Sequence, residues 1–118
     1  MKEDYPIYIK WSKTLDWIMD RSESFPKSVR FTLSSRLVNL SLDMIELIVE
    51  AIYSSPGNRH AIINRMNLKL EQLRVLIRIA MDRKYLSFRQ YEFIAGEINE
   101  TGKMLGGWKK HETSKRTV

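Results

Sequence analysis

Apolar residues return along this chain at intervals of three and four, in blocks separated by proline, glycine and serine. That spacing gathers side chains on one face of an α-helix, and no run alternates apolar and polar as a half-buried strand would. The first block predicts a helix over Pro6–Glu23, with Tyr8, Trp11, Leu15, Ile18 and Met19 on one face. Pro6 sits in its first turn, where the missing N–H costs nothing. Ser24-Phe25-Pro26 starts a second helix that runs to about Ser54, and the stretch from Ser54 to Asn58 breaks the chain. A third helix spans about Arg59 to Lys84. Ser87 and Gln90, three residues apart, form a capping box for a fourth, which ends near Trp108 just after Gly106 and Gly107. Short connections between long helices make neighbours antiparallel. The predicted fold is therefore all-α, an up-down-up-down four-helix bundle over residues 1–108 with a basic, disordered tail at 109–118.

The two central helices are more apolar than such a bundle requires. On the second, Val29, Leu33, Leu37, Leu40, Met44, Leu47 and Ala51 form a core stripe, and Phe31, Val38, Leu42, Ile45 and Val49 line the opposite face. On the third, Ile63, Met66, Leu70, Leu73, Ile77 and Met81 face the core while Leu68, Val75 and Ile79 point away from it. A helix apolar on two opposed faces must bury both or expose a patch. Either bundle neighbours cover the second faces or a further subunit does, which makes these eight residues candidate oligomer contacts.

Charge sharpens the picture. The chain carries a formal net charge of +6, and the excess is concentrated: residues 57–90 hold 8 Lys and Arg against 2 Asp and Glu. Arg59, Arg65, Lys69, Arg74, Arg78, Arg83, Lys84 and Arg89 frame the third helix and its ends, and Lys109 and Lys110 begin the tail. Such a surface attracts polyanions without reading sequence, whereas the alternative is a solvated helix or an acidic protein partner.

Catalytic chemistry is hard to assemble from the rest. Without cysteine there are no disulfides or thiolate metal sites, and a reducing compartment, the cytoplasm, is the expected setting. His60 and His111 are too few for a metal site or a triad within one chain, and Glu97-x-x-Glu100 lacks the histidines of a carboxylate-bridged metal bundle. The apolar run around Ile45 is interrupted by Glu46 and Glu50, which argues against a membrane span. The expectation is a non-enzyme without cofactor, metal or small-molecule substrate.

The segment RKYLSFRQYEFIAGEINETGKMLGGWKK, Arg83 to Lys110, closely resembles the end of the accessory variability determinant proteins of diversity-generating retroelements. Their last helix carries a Tyr-Glu pair and closes on Gly-(Lys/Arg)-Met-Leu-Gly-Gly-Trp, here Tyr91-Glu92 and Gly102 to Trp108. The leucine-rich second helix and the spacing of Leu70, Leu73 and Arg78 are similar too. Proteins encoded in intervening sequences of ribosomal RNA genes share the four-helix pattern. The resemblance implies a basic homopentamer, without catalysis of its own, that binds RNA or DNA and the element's reverse transcriptase during mutagenic copying of a template repeat. A helical interaction scaffold, or an intervening-sequence type protein with no retroelement role, is the other reading.

Overall fold

The computed structural model describes the backbone of residues 1–117 and the side chains of residues 1–111. Among the described residues there are four α-helices and no strand: α1 (Pro6–Glu23), α2 (Ser35–Tyr53), α3 (Pro56–Asp82) and α4 (Phe88–Thr117). Each helix packs on the next and α1 also packs on α4, giving a body of 52 × 21 × 21 Å.

The core runs the length of this body. Trp11 of α1, Met44 and Ile48 of α2, Met66, Leu70 and Leu73 of α3, and Ile94, Ile98 and Leu105 of α4 are all sealed from solvent. Three of the buried polar side chains are satisfied locally. Trp11 Nε1 donates to the Ser41 carbonyl at 2.9 Å, while the Ser41 and Thr101 hydroxyls donate back to Leu37 and Glu97 carbonyls one turn earlier. Such i−4 bonds let a small polar side chain lie in a helix interior without an orphaned hydroxyl.

α1 has the bounds its pattern predicts, beginning at Pro6 and ending at Glu23. The capping box is present as well: the Ser87 N–H donates to Gln90 Oε1 at 2.9 Å, and the Gln90 N–H to Ser87 Oγ at 3.1 Å. Three boundaries differ from expectation. α3 starts at Pro56 rather than near Arg59, because a proline is tolerated at the first helical position and Ser55 supplies the extended cap before it. The second helix does not start as α-helix at Pro26. A 3-10 turn at Lys27–Val29 and a π-helical turn at Arg30–Ser34 lead into α2, leaving Phe31 at 87% exposure.

The third difference answers the Gly106-Gly107 pair. α4 does not stop at Trp108 but continues to Thr117, and no glycine adopts a positive φ. Leu105 is fully buried, and Trp108 packs on Tyr5 with ring centroids 5.7 Å apart, so packing on both sides of the pair outweighs its poor propensity. The disorder expected of the tail bears largely on side chains from Glu112 onward, which lie outside the described residues. A Cβ at Gly106 or Gly107 would meet nothing within 4 Å. Gly106→Ala with Gly107→Ala should therefore raise stability by about 1 to 2 kcal/mol in total, read as an upward shift of the thermal midpoint. A lowered midpoint would mean that the pair is needed for conformation. Gly102 differs: its Cβ would lie 3.2 Å from Arg74 Nη2 and 3.7 Å from Leu70 Cδ1, because α3 side chains lie over α4 there.

The second apolar stripe of α2 is not opposed to the first. At about 100° per residue, Val38, Leu42, Ile45 and Val49 adjoin the arc of Leu37, Ser41 and Ile48, so α2 has one apolar arc roughly 220° wide. All four are half-buried, and Val38 lines a groove with Met19 of α1. Leu68, Val75 and Ile79 do point away from the core, at 58%, 59% and 42% exposure. The structure therefore separates the eight predicted contacts, since Val75 lines a different groove, against Arg36 and Leu40 of α2.

Candidate nucleic-acid interface

The predicted cations do not form one surface. Those along α3 are matched by carboxylates: Arg65 lies 3.6 Å from Glu50, Lys69 3.4 Å from Asp43 and Arg78 3.2 Å from Asp82, and Arg74 pairs with Glu71. Arg74 also donates to Asn99 Oδ1 at 3.1 Å. The Asp82 carboxylate, with Tyr91 beside it, holds the Arg78 guanidinium above its ordinary pKa. Exposed pairs of this kind contribute little to stability, but each offsets a charge that a polyanion would otherwise meet. The outer face of α3 is thus an apolar strip, Leu68, Val75 and Ile79, between two rows of paired charge.

Arg59 has an intramolecular task. Its Nε donates to the Ala51 carbonyl at 2.8 Å and Nη2 to Ser54 O at 3.2 Å, which satisfies carbonyls at the end of α2 and sets a cation against the negative end of that helix. The guanidinium also sits over the Trp108 ring, 5.5 Å from its centroid. Lys109 Nζ donates to Asn64 Oδ1 at 2.7 Å, tying α4 to α3, and Lys110 is exposed. The Glu97-x-x-Glu100 spacing also resolves into pairs, Glu97 with Lys10 at 2.6 Å and Glu100 with Lys103 at 4.0 Å. Among the described residues no group of three His, Asp or Glu could hold a metal ion, and no helix is long and apolar enough to cross a membrane.

At the other end of the body the balance changes. Ile18, Phe25, Leu37, Ile77, Leu86 and Ile94 converge there, and Phe25 stacks on Tyr85 at 5.6 Å, so the end of α1, the approach to α2, the end of α3 and the start of α4 meet. This end carries Arg83, Lys84 and Arg89 of the predicted set, all exposed. It also carries Lys27 and Arg30, exposed, and Arg36, exposed as well, lies further along α2 in the groove with Val75; charge counting along the chain passed over all three because residues 1–56 hold 7 Lys and Arg against 8 Asp and Glu. None of these six has an ion pair among the described residues, although Asp20, Glu23 and Glu92 lie in the same region of the sequence. Lys84 holds its place at a φ of 64°, the left-handed closing position after α3, with Tyr85 N–H donating back to the Ala80 carbonyl at 2.8 Å.

Lys27, Arg30, Arg83, Lys84 and Arg89 thus leave this end with exposed positive charge that no ion pair offsets among the described residues, unlike the matched cations of α3. Exposed charge of this kind attracts polyanions through counterion release, with little dependence on sequence.

Two comparisons with known proteins add to this geometry. A model of the bAvd-like family matches residues 7–112, which takes in all four helices. A comparison with curated proteins finds no significant match.

Proposed function

We propose that this chain, which belongs to the bAvd-like family, is a non-enzymatic accessory protein of a diversity-generating retroelement. It holds the element's reverse transcriptase and template RNA together in the cytoplasm during mutagenic copying. The family match carries this reading, and the cluster of unpaired cations at one end supplies a surface for the RNA.

The same reading includes an up-down-up-down topology and self-assembly. Antiparallel packing is supported by cross-helix pairs whose numbers run in opposite senses: Tyr5 with Trp108, Lys10 with Glu97 and Trp17 with Phe93 between α1 and α4, and Asp43 with Lys69 and Glu50 with Arg65 between α2 and α3. Self-assembly is supported by the α3 strip, where Leu68, Gln72, Val75 and Ile79 recur at the 4-3-4 spacing of a helix-packing seam. Five subunits follow from the family resemblance alone.

Co-expression with a reverse transcriptase of such a retroelement and its template-repeat RNA, followed by affinity capture of the chain, tests the proposal. The polymerase and the template-repeat RNA should be retained together. Capture of neither at low salt would contradict it, and capture of the polymerase without RNA would assign the basic end to protein contact.

A further inference from the structure

The groove between the end of α1 and the approach to α2 holds about 690 Å³, within the roughly 300 to 1,000 Å³ of pockets that take a small organic group. Met19, Phe25, Pro26 and Val38 line it, and the Ser22 and Ser34 hydroxyls in its wall are closed off from solvent.

The rim supplies the remaining chemistry. Phe31, held by the π-helical turn Arg30–Ser34, exposes 87% of its surface at the groove, an unusual placement for a phenyl ring. Lys27 and Arg30 flank it as exposed cations without ion pairs, against one lining carboxylate, Glu23. An exposed aromatic face beside two cations offers one unpaired nucleotide a ring to stack on and charge for its phosphate. An apolar peptide would make no use of the cations. A duplex keeps its bases stacked on each other and cannot offer one to Phe31.

We infer that this groove binds a single unpaired nucleotide of a single-stranded nucleic acid, its base on Phe31 and its phosphate on Lys27 and Arg30. The inference rests on the nucleic-acid reading above and adds to it a strand-state preference that a merely basic surface would lack.

The test is fluorescence anisotropy with the full chain, labelled unstructured RNA and DNA strands of about fifteen nucleotides, and duplexes of the same sequence. Phe31→Ala should weaken single-strand binding about tenfold, leave duplex binding unchanged and leave the salt slope intact, because stacking is lost and no phosphate contact is. Phe31→Trp should restore it. Lys27→Gln with Arg30→Gln should instead make the slope shallower by roughly 0.7 per lost contact. Phe31 is so exposed that its replacement leaves the core untouched, and unchanged circular dichroism verifies this. If the wild-type chain binds single strands and Phe31→Ala binds them equally well, or loses strand and duplex binding alike, the groove is not a nucleotide site while the proposed function stands. If the wild-type chain binds no nucleic acid, both fall. A preference between the RNA and DNA strands identifies which one supplies the nucleotide.

Discussion

Leu68→Glu combined with Val75→Glu should convert the assembled protein to folded monomers. Both side chains are more than half exposed on the outer face of α3, one turn apart from Gln72 along the same seam. Burying a whole aliphatic side chain contributes about 1.5 to 3 kcal/mol, so completing burial of Leu68, Val75 and Ile79 contributes about 3 kcal/mol per subunit face. Two buried glutamates without partners would cost several kcal/mol more, and each 1.4 kcal/mol is tenfold in association. Light scattering should show the parent as a closed oligomer at micromolar concentration and the double variant as a monomer with the same helical signal. Val38→Glu or Leu42→Glu should behave differently. Those positions adjoin the α2 core arc and are half-buried already, so the charge should destabilise the protomer itself. An oligomer that survives the α3 double variant would place the subunit contact elsewhere, and a parent that is already monomeric would remove it.

Charge reversal at the basic end should have the largest effect on binding. Arg30→Glu, Arg83→Glu and Arg89→Glu together remove three cations that form no ion pair among the described residues. At roughly 1.5 kcal/mol for each charge-assisted contact, affinity for structured RNA should fall by about three decades, with a salt slope shallower by about two. Reversal of Arg65 and Arg78 should cost far less, since Glu50 and Asp82 already offset them. Filter binding across a salt series separates the two variants, and a greater loss from the α3 pair would reverse the assignment. In an oligomer each loss is repeated once per subunit along one polyanion, which widens the contrast.

The parts of this fold that could be read along the chain were those fixed by local chemistry. Pro6 marks the start of α1 because proline fits the first helical turn, and Ser87 with Gln90 marks the start of α4 because two orphan N–H groups need those side chains. Gly106 and Gly107 misled because propensity is a local cost and the contacts of Leu105 and Trp108 that outweigh it are tertiary. Nothing in KSVRFTLS announces a π-helical turn, so the exposure of Phe31 was not legible. The charge excess of residues 57–90 was legible as a number but not as a surface. Asp43 and Glu50, on a different helix, neutralise Lys69 and Arg65 across the α2–α3 contact, while Lys27, Arg30 and Arg36 emerge from a segment whose charges cancel in sequence but not in space.

Where RNA touches this chain is therefore the measurement that decides most. Ultraviolet crosslinking of the wild-type protein to template-repeat RNA, read by peptide mass spectrometry, should give adducts concentrated in residues 27–36 and 83–89, with few on the outer face of α3. Adducts concentrated between Arg65 and Arg78, with none at the basic end, would contradict it.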